Sequence, residues 1–415
     1  MSKQIRDIAS KIGSGITPLR SDERYWNHKD IPWVKTEQIG EYQIFDSNEY
    51  ISNTAIAETN IYIWPSNTVS VAMYGEGKTR GNVSMLMFPM TTNQACCNIV
   101  VNPLKADYRF LYYWLKNNYE QLRTLSSGVR KNLNADDIKG FPFPNIEVFE
   151  QTRIADILTA FDNKIQNNTQ ICSELESMAK MLYDYWFVQF DFPDENGKPY
   201  RTSGGEMVWN DQLKREIPKG WEVGKIQQLG TIISGGTPST KHEEYYCDCG
   251  FAWITPNDLS GNQGKIFVGH GERDVTQDGI DNSSATLMPK GSLLLSTRAP
   301  IGYLAIAENE LCTNQGFKSI VPDAGYSEYY IYYLLQRNIP ALEQQGTGTT
   351  FKEVSKDTLS NFSIVLPGKC IANKFADKIK SNCELRKKLE AENRELTKLR
   401  DWLLPMLMNG QATVE

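Results

Sequence analysis

Ser14-Gly15-Ile16-Thr17-Pro18 returns later in the chain as Ser234-Gly235-Gly236-Thr237-Pro238, and that return decides how the rest is read. Trp33 is matched by Trp253, Thr92-Asn93-Gln94 by Thr313-Asn314-Gln315, and Ser127-Gly128 by Thr347-Gly348, all at an offset of 220 to 221 residues. At 221, Ile154, Leu158, Leu175, Leu182 and Trp186 fall on Phe375, Ile379, Leu396, Leu403 and Leu407. Self-similarity at a fixed period means one structural unit written twice. The order is globule, helix, globule, helix, and 415 residues with 40% hydrophobic content suffice for two cores.

From Arg153 to Phe187 the seam Ile154, Leu158, Phe161, Ile165, Cys172, Leu175, Ala179, Leu182 and Trp186 alternates in steps of four and three, with Asn168 its polar member. A strict seven-residue repeat keeps one stripe facing a partner helix, which is the requirement of a coiled coil, and a buried Asn in it sets register. Phe375, Ile379, Leu389, Leu396, Leu399, Leu403 and Leu407 continue the pattern near the end, but Asn382, Arg386 and Asn393 interrupt it, so its middle is expected to be weaker or differently paired. At 1.5 Å per residue the first helix spans about 52 Å, and domains of this size are roughly 40 Å across.

Each globule shows short strands between Gly, Asn and Pro clusters, as in Asn67 to Tyr74 and Gly291 to Ser296, and one helix, Tyr108 to Leu125 or Ser327 to Glu343. The expected fold is therefore α+β: two pseudo-repeated, mostly-β domains, 1–145 and 226–370, with long helices at 146–190 and 371–415 that pair as a coiled coil. Residues 191–225, carrying Pro193, Gly197, Pro199 and Gly204-Gly205, read as a turn-rich connector. Tyr112, Tyr113, Trp114 and their counterparts Tyr330, Tyr332 and Tyr333 suit a core more than a stacking platform, given their helical spacing.

The net charge of −6 by itself points away from a nucleic-acid partner, because phosphate binding is driven by Lys and Arg. Its distribution is uneven: residues 1–145 hold 16 basic against 14 acidic groups, 226–370 hold 10 against 15. A DNA reader of this balance must gather its cations on one face or share the neutralisation with a partner. Eight cysteines without repeat symmetry suit reduced thiols, and the close pair Cys247 and Cys249 lacks the second pair a zinc site needs. The first residues carry no signal-peptide core and no apolar run reaches the roughly 18 residues of a membrane span. A cytoplasmic protein with no metal and no membrane is expected.

Tests for catalysis fail. Ala72 to Thr79 satisfies a loose phosphate-loop pattern around Lys78, but Arg80-Gly81-Asn82-Val83 reads as a turn into a strand and not as the helix such a loop must open. No nucleophile elbow or dinucleotide fingerprint is present. No catalytic residue is assigned.

The run Tyr183-Asp184-Tyr185-Trp186-Phe187-Val188-Gln189-Phe190-Asp191-Phe192-Pro193 stands ahead of Gly197-Lys198-Pro199-Tyr200, Ser203-Gly204-Gly205 and Glu216-Ile217-Pro218-Lys219-Gly220-Trp221. Together they resemble the central conserved region of specificity subunits of type I restriction-modification systems, and Leu403 to Gln411 resembles the distal one. The resemblance spans nearly the whole chain. It implies two target-recognition domains that each read half of a bipartite DNA site, separated by an antiparallel helix pair acting as a ruler. It also implies docking of two modification subunits, which methylate adenine N6 with S-adenosylmethionine, and of restriction subunits that use ATP and Mg; this chain itself would bind no cofactor. Half-sites one helical turn, roughly 34 Å, apart fit the strut.

Where the repeats differ, base reading is expected. Lys35, Thr36 and Glu37 face Thr255, Pro256 and Asn257; Arg80 falls on Ile301 and Arg298 on Gly77. The two half-sites should thus differ. Candidate DNA contacts are Arg20, Lys35, Thr36, Lys78, Arg80, Arg130 and Lys131 in the first domain, and Lys241, Thr255, Asn257, Arg298, Lys318, Thr350 and Lys352 in the second. Asn93-Gln94 and Asn314-Gln315, kept by both, read equally as buried turn residues. Leu182, Tyr185, Trp186, Phe187, Leu403 and Leu407 are the candidate partner-docking residues. The first domain lacks the Ile-Pro-x-Gly-Trp lead-in of the second, so the carboxy-terminal helix is expected to complete it. The competing reading is a coiled-coil scaffold carrying two protein- or glycan-binding modules.

Overall fold

The structure is a computed structural model that describes residues 3–75, 77, 79–125, 132–348 and 352–412. The chain forms two compact units, residues 1–166 with 394–415, and residues 167–393. Both have mixed helix and sheet.

In the first unit a five-stranded sheet runs in the order Ala9–Ser14, Cys96–Val101, Thr68–Ala72, Val83–Leu86, Gln43–Ile44. Its pairings are antiparallel except the last, which is parallel. A smaller sheet has Ile31–Val34 at its centre, flanked by Tyr50–Ile51 and Thr91–Thr92. Thr68–Ala72 is buried at every residue, which is why Val, Ala and small hydroxyl residues fill it without alternation. The helix Tyr108–Asn117, capped by Asp107, buries Phe110, Leu111, Tyr112, Tyr113 and Leu115. A second short helix, Tyr119–Thr124, follows after a break at Asn118.

The second unit repeats this plan: Thr231–Ser234, Lys318–Val321, Leu293–Thr297, Ile301–Ala307, Phe267–Val268, again antiparallel up to a parallel edge. The helix Glu328–Gln345 buries Tyr329 to Leu335 without a gap. Tyr112, Tyr113, Tyr330, Tyr332 and Tyr333 are thus core residues.

The connector is more ordered than its Gly and Pro content suggests. Met207–Asn210 and Arg215–Pro218 form a hairpin, and Glu222–Lys225 pairs with Ser363–Leu366. Phe192 stacks on Tyr200 and on Trp221 at centroid distances of 4.7 and 5.0 Å, so the aromatic residues that carry the resemblance are packing residues of the second unit. Strands of four residues with polar tips leave too little periodicity to read from sequence.

Two long helices, Val148–Tyr183 and Lys369–Met408, contribute to both units. In the second unit they run antiparallel: Asn168 Nδ2 donates to Asn393 Oδ1 (2.9 Å), Arg386 Nη2 meets Glu176 Oε2 (3.3 Å), and the rings of Tyr183 and Phe375 lie 5.7 Å apart. Asn168 is buried and also donates to Glu392 Oε2 at 2.8 Å, the partnered polar seam residue expected of a register-setting position. Arg386 shows how the seam is differently paired. Its guanidinium donates to the carbonyl of Gly264 (3.0 Å), while Glu390 accepts from the N–H groups of Ile266 and Phe267 (both 3.2 Å). In the first unit Ile154, Leu158, Leu404, Leu407 and Met408 share one core with Ile5, Ile8 and Phe110, so the end of the chain does complete that domain.

Candidate nucleic-acid interface

The repeated motifs meet at one place in each unit. In the first, the N–H of Ile16 donates to Thr92 O (2.9 Å), that of Gly15 to Cys96 O (3.2 Å), and that of Asn93 to Val34 O (3.0 Å); Trp33 Nε1 donates to Ile16 O (3.0 Å). The second reproduces the set bond for bond: Gly236 to Thr313 O (2.8 Å), Gly235 to Phe317 O (3.2 Å), Asn314 to Ile254 O (3.0 Å), Trp253 Nε1 to Gly236 O (3.0 Å). A Cβ on Gly15 would lie 2.1 Å from Thr92 O, and one on Gly235 1.9 Å from Asn314 O, so close backbone approach requires the glycine in both. Asn93 and Asn314 are half-buried turn residues, as one reading had it, but Gln94 and Gln315 are exposed. Thr17 Oγ1 donates to Gln94 Oε1 and Thr237 Oγ1 to Gln315 Oε1.

Around this shared frame the side chains differ. In the first unit Arg20 lies over the Trp26 ring, 3.8 Å from its centroid, and pairs with Glu49 (2.6 Å). Lys35 pairs with Glu37 (2.8 Å) and with the other oxygen of Glu49 (2.6 Å). Hydrogen bonds to Glu37 and Glu49 hold the Lys35 ammonium above its ordinary range. Partial burial pushes the Glu49 carboxyl up, but the hydrogen bonds from Lys35 and Arg20 win and hold it below the usual range. Thr36 is half-buried in the turn that follows.

In the second unit Thr255 is occupied as the cap of the helix Pro256–Ser260, accepting from Asp258 N and donating to Asp258 Oδ2 (2.6 Å). Asn257 and Lys241 are exposed. Lys318 is a correction: it is buried, with Nζ 3.6 Å from Glu353 and 3.5 Å from the Gln315 carbonyl, so its charge serves the fold. Exposed Arg298 bridges Glu353 in backbone register, next to exposed Lys352. The repeat alignment also changes here. Met73 N–H donates to Ala95 O as Thr297 does to Gly316 O, which places Arg298 on Tyr74 and not on Gly77. Val71 pairs with Val83 but Leu295 with Leu304, so the intervening loop is three residues shorter in the second unit. Arg80 lies in the turn leading into Val83–Leu86, consistent with a strand connection and not a phosphate loop. Lys78, Arg130, Lys131 and Thr350 lie outside the described residues.

The docking residues also divide. Trp186 and Phe187 are buried in the core of the second unit and Leu407 in that of the first, which corrects their assignment to a partner surface. Leu182 and Leu403 are half-buried; Tyr185 is exposed. In the second unit the first long helix exposes Ile171, Met178 and Met181, and the π-helical turn Asp184–Val188 that continues it exposes Tyr185, a second stripe at heptad-like spacing. Sequence reading named only Tyr185 of it, because the stronger seam beside it claimed the periodicity.

The family model of the type I restriction modification DNA specificity domain matches residues 1–177 and again 218–394. The chain belongs to this family and carries its domain twice. It is 38% identical over 197 residues to the MjaIX specificity subunit of Methanocaldococcus jannaschii, a match covering 46% of this chain and 45% of that one. It is 27% identical over 358 residues to the HindI specificity subunit of Haemophilus influenzae, covering 73% and 77%. Against that first relative the chain thus spans under half its length. A crystal structure of a type I restriction-modification S subunit from M. genitalium shares the fold, with a TM-score of 0.61 at 16% identity over 98% of this chain and 95% of that one. The MjaIX and HindI relatives both carry the name of specificity subunits. Among the described residues no helix is long and apolar enough to cross a membrane.

Proposed function

We propose that this chain is the DNA-reading subunit of a type I restriction-modification complex of the cytoplasm, each unit reading one half of a bipartite, asymmetric double-stranded target. The observation that carries this is the loop frame repeated bond for bond in both units while Lys35-Thr36-Glu37 is replaced by Thr255-Pro256-Asn257. A shared scaffold with different edge-reading groups is how one fold selects two sequences. The readers are Arg20, Lys35 and Thr36 with Arg80 in the first unit, and Lys241, Asn257, Arg298 and Lys352 in the second. Modification subunits, which methylate adenine N6 with S-adenosylmethionine, dock on the exposed stripe Ile171, Met178, Met181 and Tyr185. Restriction subunits supply the ATP- and Mg-dependent step.

Co-expression with its modification subunit, followed by single-molecule sequencing of host DNA, tests the proposal. Methylation at one asymmetric bipartite motif, lost on deletion of this gene, is expected. A stable complex with no motif-specific methylation and no DNA binding would refute it.

A further inference from the structure

Gln94 and Gln315 are not among the base readers, yet each stands exposed at the centre of its unit's loop frame with its amide oxygen taken by a threonine hydroxyl. The frame does not depend on that contact. The backbone hydrogen bonds and the close glycine approach already hold each loop, and an exposed side-chain hydrogen bond adds little to stability. What the contact does is orient an amide. With the hydroxyl donating to Oε1, both N–H groups of Nε2 are left as donors, and among the described residues neither is given an acceptor. A neutral two-proton donor is thereby presented by each unit from the same scaffold position.

The flanking loops have diverged while this pair is unchanged, so it suits a part of DNA that does not change between half-sites. That part is the phosphate backbone, which takes half to two-thirds of protein–DNA hydrogen bonds and sets register without reading sequence. Bidentate adenine reading would need the remaining lone pair of Oε1 as well as Nε2, whereas a phosphate oxygen needs only the donor face the threonine leaves open. We propose that Gln94 and Gln315 each donate from Nε2 to a backbone phosphate oxygen, anchoring the two units to their half-sites by the same contact. This rests on the DNA-reading function proposed above.

The test uses the full chain in complex with its modification subunit, and two labelled duplexes, one carrying the methylated motif and one scrambled. Gln94→Ala and Gln315→Ala should each weaken binding to both duplexes by the same factor, about 3- to 10-fold. The slope of log K against log salt should be unchanged, because no cation is lost, and the methylated motif should stay the same. Gln94→Glu retains an acceptor for Thr17 and so preserves any structural role, but it sets a carboxylate against the phosphate and should lose more. Wild-type affinity in the Gln→Glu variants, or a loss confined to the motif duplex and absent on the scrambled one, would overturn the anchor alone. Wild-type complex that binds neither duplex would overturn the DNA-reading function and the anchor with it.

Discussion

Glu49 holds two cations at once, Arg20 and Lys35, each at 2.6 Å. Phosphates arriving at this loop must compete with that carboxylate, so its removal should free both cations. Glu49→Ala is expected to raise affinity for non-specific duplex and steepen its salt dependence by one to two in slope, at about 0.9 per released cation. Anisotropy titrations over a salt series check this; an unchanged slope would mean that neither cation faces DNA. The sequence marked Arg20 and Lys35 by their loop positions. It could not mark Glu49, 29 residues from Arg20, because the pairing exists only after Ile31–Val34 and Tyr50–Ile51 align. Lys318 failed for the converse reason: an isolated lysine beside a turn reads as solvated until Glu353 is brought to it.

In the helix pair, polar seam positions carry contacts that a heptad count registers only as interruptions. Asn168→Ala removes donors to Glu392 and Asn393 and should cost about 1–3 kcal/mol in denaturant unfolding. Arg386→Met should cost more, about 3–5 kcal/mol, since it leaves Glu390 without its buried counter-charge, while Glu176 keeps Lys180 at 2.6 Å. The pH dependence has a definite sign. Burial already lifts the Glu390 carboxyl above its ordinary range, against the opposing pull of Arg386. A carboxyl whose folded pKa exceeds its unfolded one destabilises the fold at neutral pH, and that penalty is relieved as pH falls through the folded value. The Arg386→Met deficit should therefore shrink as pH falls from neutral; a constant deficit would show that the lost packing, and not the charge, accounts for it. The seam's length and phase were legible because seven-residue periodicity needs only the chain itself. Which helical face stayed open was not, because Trp186 and Phe187 are covered by Phe375, Tyr330 and Trp221, all remote in sequence.

At the scale of the molecule, the two units are built differently from one chain. The second is continuous, residues 167–393, while the first needs residues 394–412 to cover Ile154 and Leu158 with Leu404, Leu407 and Met408. A chain ending at Asn393 should therefore lose the first unit selectively. Removing three buried apolar side chains costs about 2–5 kcal/mol each, so limited proteolysis should digest residues 1–166 and spare 167–393. Equal protection of both would show that the first unit folds without its last helix. The same discontinuity imposes an order on biosynthesis. Translation at about 5–20 residues per second leaves the amino-terminal unit unfinished for tens of seconds after its own strands emerge. The later-encoded unit is whole before it. For that interval Ile154 and Leu158 lie open in a nascent polypeptide, and the half made first becomes the half folded last.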